Sequence, residues 1–268
     1  MLGRVVRWRS FRYWIVGFCL SILLFLVLSL LPSSAEELAE IQERGLLVVA
    51  VKDNLPPLGF RNSQGELVGL EIDLAHQLAL ELFGQRDAVV LQPVSNRERL
   101  AMVTEKAVDL AIAHLTMTAS RSRLVNFSLP YYLDGAAVLT RDPTIERLAD
   151  LAQRPIAVLE SSSTVAVVRS RLPIAPLTPV RSYQEAQALL DSNQVAAVAA
   201  DASVLAGWVQ IQPNYRLLTP LLSAEALAIA LPRGLQYESL RQQVNQAIAR
   251  WYDEGWLQER IAYWGLVE

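Results

Sequence analysis

From Leu46 to Leu231, short apolar runs rich in β-branched residues alternate with stretches whose apolar positions recur every third or fourth residue. The runs Leu46–Val51, Val89–Val94, Val108–Leu115, Ala136–Thr140, Ile156–Leu159, Val195–Ala199 and Ala226–Leu231 read as buried strands. Leu70–Leu82, Arg97–Thr104, Ser163–Leu172, Tyr183–Leu190 and Ser203–Val209 have helical spacing. Strand and helix in turn predict α/β layers with largely parallel sheets. Further on, Leu235–Trp251 places Leu240, Val244, Ala247, Ile248 and Trp251 on one helical stripe. Asp253-Glu254-Gly255 ends that helix, and Trp256–Trp264 reads as a last short one.

The first 35 residues are of another kind. Arg4, Arg7, Arg9 and Arg12 precede an apolar run from Ile15 to Leu31, then Pro32 and Ser33-Ser34-Ala35. That pattern predicts a signal peptide over residues 1–35 and a periplasmic chain, membrane-anchored if the leader stays uncleaved. Cleavage removes Cys19, so the exported chain has no cysteine and relies on its core. Removing the four leader arginines from 24 basic residues leaves 20 against 27 acidic, a net charge of −7. This balance excludes a basic nucleic-acid binder and suits a soluble monomer.

Enzymatic signatures are missing. There is no G-x-S-x-G elbow, H-E-x-x-H, Walker loop or G-x-G-x-x-G after a strand. Only His76 and His114 are available as imidazoles, so neither a metal nor a cofactor is expected. Polar groups gather instead at the ends of apolar strands, where ligands bind in open α/β sheets. Lys52-Asp53-Asn54-Leu55-Pro56-Pro57 follows the first strand, and Thr116-Met117-Thr118-Ala119-Ser120-Arg121 follows Val108–Leu115. Thr118 suits the cap of a short helix that carries Arg121. Asp201 is a lone acid among alanines. An arginine and an aspartate converging from two strand ends suit a zwitterion. An ordinary surface helix with a capping Asp201 fits the same spacing.

Pro56-Pro57-Leu58-Gly59-Phe60 and Gly69-Leu70-Glu71-Ile72-Asp73-Leu74-Ala75 resemble the opening of the family 3 extracellular solute-binding proteins, the polar amino-acid binding proteins of ABC importers. Val108–Ala113, Thr116–Arg121 and Phe127-Ser128-Leu129-Pro130-Tyr131-Tyr132 resemble that family's most diagnostic block. The similarity continues in order to Trp264-Gly265-Leu266. The resemblance implies a type 2 periplasmic binding protein fold, with two α/β lobes joined by two crossing strands around a ligand cleft. Lobe one would comprise residues 36–141 and 224–268, lobe two residues 142–223, with crossings near Val138–Arg141 and Ala224–Ala228.

By resemblance, Arg121 and Thr116 would hold a ligand α-carboxylate, Asp201 the α-ammonium, and the loop with Ser162 and Ser163 would add donors. Asp53 and Leu55 belong to the first wall of the cleft. Arg97 matches a position where relatives that bind acidic amino acids often carry an arginine, although a solvent-exposed helix residue has the same spacing. The implied function is delivery of an amino acid, aspartate or glutamate before glutamine or asparagine, to an ABC permease. Three departures bear on the ligand: Leu55 stands where an aromatic is common, His114 where a small residue is usual, and serines replace a glycine-threonine loop. His114 would narrow the pocket, touch the ligand, or be a satisfied strand-end residue. Two other readings are a cyclic-acid dehydratase on the same scaffold, with His114 or Glu160 as acid/base group, and an anchored amino-acid sensor.

Overall fold

The computed structural model describes residues 36–160 and 162–266; the expected leader and Ser161 lie outside the described residues. In chain order the strands are β1 (Leu47–Val51), β2 (Asn54–Leu55), β3 (Gly59–Arg61), β4 (Leu67–Val68), β5 (Val89–Pro93), β6 (Leu110–Ile112), β7 (Asn126–Asp134), β8 (Ala136–Thr140), β9 (Ile156–Leu159), β10 (Leu177–Val180), β11 (Ala197–Asp201), β12 (Arg216–Leu218) and β13 (Glu225–Leu231). They form two five-stranded sheets, β5-β1-β6-β13-β7 and β10-β9-β11-β8-β12, with a small β2-β3-β4 sheet beside the first. Each large sheet is the floor of one lobe, the two-lobed α/β architecture the sequence predicts.

Neither large sheet is mainly parallel. β1 runs parallel to β5 and β6, and β9 parallel to β10 and β11. β13 and β8 lie antiparallel to their neighbours. The reason is the passage between lobes: β7 runs through Gly135 directly into β8, which opposes the parallel strands of the second sheet, and the chain returns as β13, which opposes those of the first.

That passage also corrects the expected boundary at residue 141. All of β8 pairs within the second sheet, which moves the first crossing from Val138–Arg141 back to Gly135. The second crossing lies in 219–224, between β12 and β13. The two pass so closely that a Cβ on Gly135 would sit 2.0 Å from the Ser223 carbonyl oxygen. Glycine is required here by proximity. Ala136 N–H donates to Ser223 Oγ at 2.9 Å, and Leu222 N–H to the Ala136 carbonyl at 2.7 Å, tying the crossings together.

The lobe-one core joins helix Leu70–Phe83 to helix Glu238–Asp253. On the second helix Leu240, Val244, Ala247, Ile248 and Trp251 are wholly buried, as their spacing predicts. The larger of these side chains each contribute roughly 1.5–3 kcal/mol of burial. Lobe two is smaller, with an apolar cluster on each face of its sheet. The run Val108–Leu115 is interrupted by Asp109 and His114, and β6 covers only Leu110–Ile112 between them. Two residues past it His114 takes φ +52°, a left-handed conformation that ends extended pairing.

Candidate functional site

A cleft of about 860 Å³ lies between the lobes, and its lining is drawn from strand ends. From lobe one come Lys52, Asn54 and Leu55 after β1, Ser95, Asn96 and Arg97 after β5, and His114, Thr116 and Arg121 after β6; Arg99 lines it from the following helix. From lobe two come Glu160, Ser162 and Ser163 after β9, Arg181, Ser182 and Tyr183 after β10, and Asp201 at the end of β11. These strands are the parallel ones of each sheet, so the cleft lies at their carboxyl ends.

On the lobe-one wall, cations are pinned to backbone carbonyls. Arg121 opens a short 3-10 turn in which its N–H donates to Thr118 Oγ1 at 3.2 Å, as the capping pattern predicts. Its Nη1 donates to the Thr116 carbonyl at 2.9 Å, which fixes the guanidinium and leaves further donors for a ligand. Lys52 Nζ donates to the Val94 carbonyl at 2.8 Å, and burial, with Arg99 nearby, lowers its pKa. Arg99 is buried, and its Nη1 donates to the carbonyls of Ala113, at 2.6 Å, and His114.

Behind that wall stands a carboxyl–imidazole network. Glu71 is fully buried, and its Oε1 accepts from Tyr131 Oη and from His114 N–H, both at 2.6 Å. Among the described residues its Oε2 has no partner, and burial raises its pKa. His114 Nε2 lies 3.2 Å from Asp134 Oδ2 and 3.7 Å from Asp201 Oδ2. Asp134 also accepts from the backbone N–H groups of Gly135 and Ser203 at 2.9 and 3.1 Å, and from Ser203 Oγ. Burial opposes its ionisation, but these bonds and His114 outweigh it and hold its pKa down. Asp134 ends β7 and Ser203 belongs to lobe two, so this carboxylate pins the two lobes together.

Lobe two presents looser chemistry. Asp201 stands at the start of helix Ala202–Ile211 but makes no side-chain cap bond, so the plain capping alternative does not describe it. Burial raises its pKa, and His114 offsets this only in part. Ser162 and Ser163 open helix Ser163–Arg171, and the buried Ser162 Oγ has no partner among the described residues. Its hydroxyl and the free N–H groups of that helix start are donors for an anion.

The structure thus gathers Arg121, Thr116, Asp201, Arg97, Ser162, Ser163, His114 and Leu55 around one cleft. Asp53 is the exception. Lys52 points inward, and its chain neighbour turns the other way, to an ion pair with Arg61 on β3 at 3.5 Å. Sequence reasoning passed over Arg99, Glu71 and Asp134. Arg99 carried a signal: it stands four residues before Val103, and both are buried on one helical face. Among the described residues no group of three or more His, Cys, Asp or Glu is placed to hold a metal ion. No described helix is long and apolar enough to cross a membrane.

Two lobes with a polar cleft at their strand ends define a hinged solute-binding protein. The model of the bacterial extracellular solute-binding proteins, family 3, matches residues 47–267, and the chain belongs to that family. A glutamine-binding protein of Geobacillus stearothermophilus is 31% identical over 195 residues, covering 72% of this chain and 74% of the relative. The glutamate-binding protein of Corynebacterium glutamicum is 28% identical over 232 residues, 82% of this chain and 78% of its own. Among solved structures, an ancestral amino acid-binding protein described as a precursor of cyclohexadienyl dehydratase superposes with TM-score 0.70 at 24% identity, covering 85% of this chain and 99% of that one.

Proposed function

We propose that this protein is an extracytoplasmic amino-acid-binding protein that delivers its ligand to an ABC permease, with a preference for aspartate or glutamate. The observation that carries this reading is the opposed pair across the cleft. Arg121 on lobe one has donors to spare, and Asp201 on lobe two is a half-buried carboxylate with a raised pKa. A zwitterion satisfies both when the lobes close about it. Thr116, Ser162 and Ser163 add polar contacts, and Leu55 supplies an apolar wall. Family membership and the relatives named for glutamine and glutamate binding support the class of ligand.

The acidic preference rests on charge. Lys52, Arg97, Arg99, Arg121 and Arg181 line the cleft against Glu160 and Asp201. A second ligand carboxylate, desolvated in the cleft, finds a cationic partner there. Arg97 is exposed and precedes helix Glu98–Thr104, free to reach such a group. The leader reading puts the protein in the periplasm, and its acidic, cysteine-free exported chain suits a monomer with no nucleic-acid partner.

The test is calorimetric titration of the purified protein, unfolded and refolded to strip carried-over ligand, with the twenty amino acids. One-to-one binding led by aspartate or glutamate is the expected result. Binding led by a neutral or basic amino acid would keep the transport role and discard the preference. No binding, with turnover of prephenate or arogenate lost in Glu160→Gln, would establish a cyclic-acid dehydratase instead.

A further inference from the structure

His114 is held in an unusual way for a residue with a side chain. Its backbone lies at φ +52°, a region that residues with a side chain seldom adopt. The conformation is locked from both ends, by Glu71 Oε1 on its N–H and by Arg99 on its carbonyl. The result is a mostly buried ring aimed between two carboxylates from different lobes, Asp134 at 3.2 Å and Asp201 at 3.7 Å. The two are not equivalent. Asp134 has three further hydrogen-bond donors from Gly135 and Ser203. Asp201 has His114 as its ion-pair partner, at a distance too long for a hydrogen bond.

We propose that His114 is a resident counter-ion for Asp201, which an α-ammonium ligand replaces by driving a proton off the imidazole. This rests on the amino-acid reading of the cleft. Two carboxylates line the cleft; Glu160 is exposed and Asp201 half-buried, so Asp201 is the acceptor a desolvated ammonium needs. An ammonium arriving there stands beside the imidazolium, and like charge disfavours the charged ring. The neutral ring keeps Nε2–H on Asp134 and gives its other ring proton to solvent. One ligand cation enters and one proton leaves, so the charge around Asp201 is conserved.

The surroundings agree. Glu71 from helix Leu70–Phe83, Asp134 from β7 and Asp201 from β11 favour the imidazolium; burial opposes it and the balance is a raised pKa. Arg99 faces the His114 carbonyl, Tyr131 bonds to Glu71, and Glu225 on β13 acts on Asp201 and Arg121 from behind. The free protein therefore favours the charged ring more than an ordinary histidine does, with its proton ready to exchange.

The consequence separates ligands by chemical class. Affinity for α-amino acids rises with pH by up to about tenfold per unit where His114 is protonated in the free protein. A carboxylic acid without an ammonium, such as glutarate beside glutamate, leaves the ring charged and releases no proton. The experiment is calorimetry near pH 7 in phosphate and in Tris, whose ionisation heats differ, with L-glutamate, the other amino acids that bind, and glutarate. The wild type is expected to release a proton, in part or whole, with each amino acid and none with glutarate. His114→Gly, suited to the left-handed backbone, and His114→Gln, which keeps a donor toward Asp134, are both expected to bind amino acids without proton release. Amino-acid binding by the wild type with no proton exchange overturns the proposal and leaves the amino-acid reading standing. The same release from both variants as from the wild type overturns it too. Absence of binding by every amino acid, in wild type and variants alike, removes the amino-acid reading and the proposal together.

Discussion

The two walls of the cleft are built on different physical terms. On lobe one, Lys52, Arg99 and Arg121 each donate to a main-chain carbonyl, so their charges are fixed before any ligand arrives. On lobe two, Asp201 makes no cap bond and Ser162 Oγ has no described partner. A fixed cationic wall faces one whose polar groups are still to be satisfied. Fixed charge lowers the ordering cost of binding, and unsatisfied groups supply the differential affinity that favours closure. Lobe one thus reads as the receptor and lobe two as the cap, with Asp134 and Gly135 at the joint.

The largest expected effect breaks the joint itself. Asp134→Ala takes from His114 its hydrogen-bonded carboxylate and unties Ser203, and is expected to cost roughly 3–5 kcal/mol, read from the denaturant midpoint. Arg121→Ala removes the fixed cation most exposed to ligand. It is expected to weaken amino-acid binding by roughly 2–5 kcal/mol in calorimetry; near-normal affinity would strip lobe one of its assigned role. Gly135→Ala puts a methyl group 2.0 Å from Ser223 O and must spread the crossings, at roughly 1–3 kcal/mol in thermal unfolding. Arg97→Ala is expected to cost about 1 kcal/mol for acidic ligands and nothing for neutral ones, since this side chain is exposed. Equal losses for both would reduce Arg97 to scaffold.

A pH series sharpens the comparison further. The folded pKa of His114 is raised, so its contribution to ligand-free stability is full below the ordinary histidine value and fades as pH rises through the raised one. Subtracting the unfolding curve of His114→Gln from that of the wild type isolates this contribution. The difference is expected to shrink as pH rises from below the ordinary histidine value through the raised one; growth over that interval would contradict the ion pair.

Much of this was legible in the residues. Apolar runs located β1, β5, β8, β9, β11 and β13; all but β5 are mainly buried and so have few polar positions to blur their limits. Asp201 and Arg121 stood out for the same reason: a charge at the end of an apolar strand must point somewhere solvated or paired. The joint was not legible. Nothing local marks the point at which one extended segment leaves one sheet for another, and only the fold brings Ser223 against Gly135. Asp134 and Glu71 come from distant elements to meet His114, so no spacing pairs them. Arg97 and Arg99 differ by two positions on one segment, and burial, not composition, separates the exposed one from the buried one.

The most direct measurement is a structure of the protein with the tightest-binding amino acid of the panel. The account predicts the ligand carboxylate on Arg121, its ammonium on Asp201, and both lobes closed upon it. A ligand bound to lobe one alone, or with its ammonium away from Asp201, would contradict it.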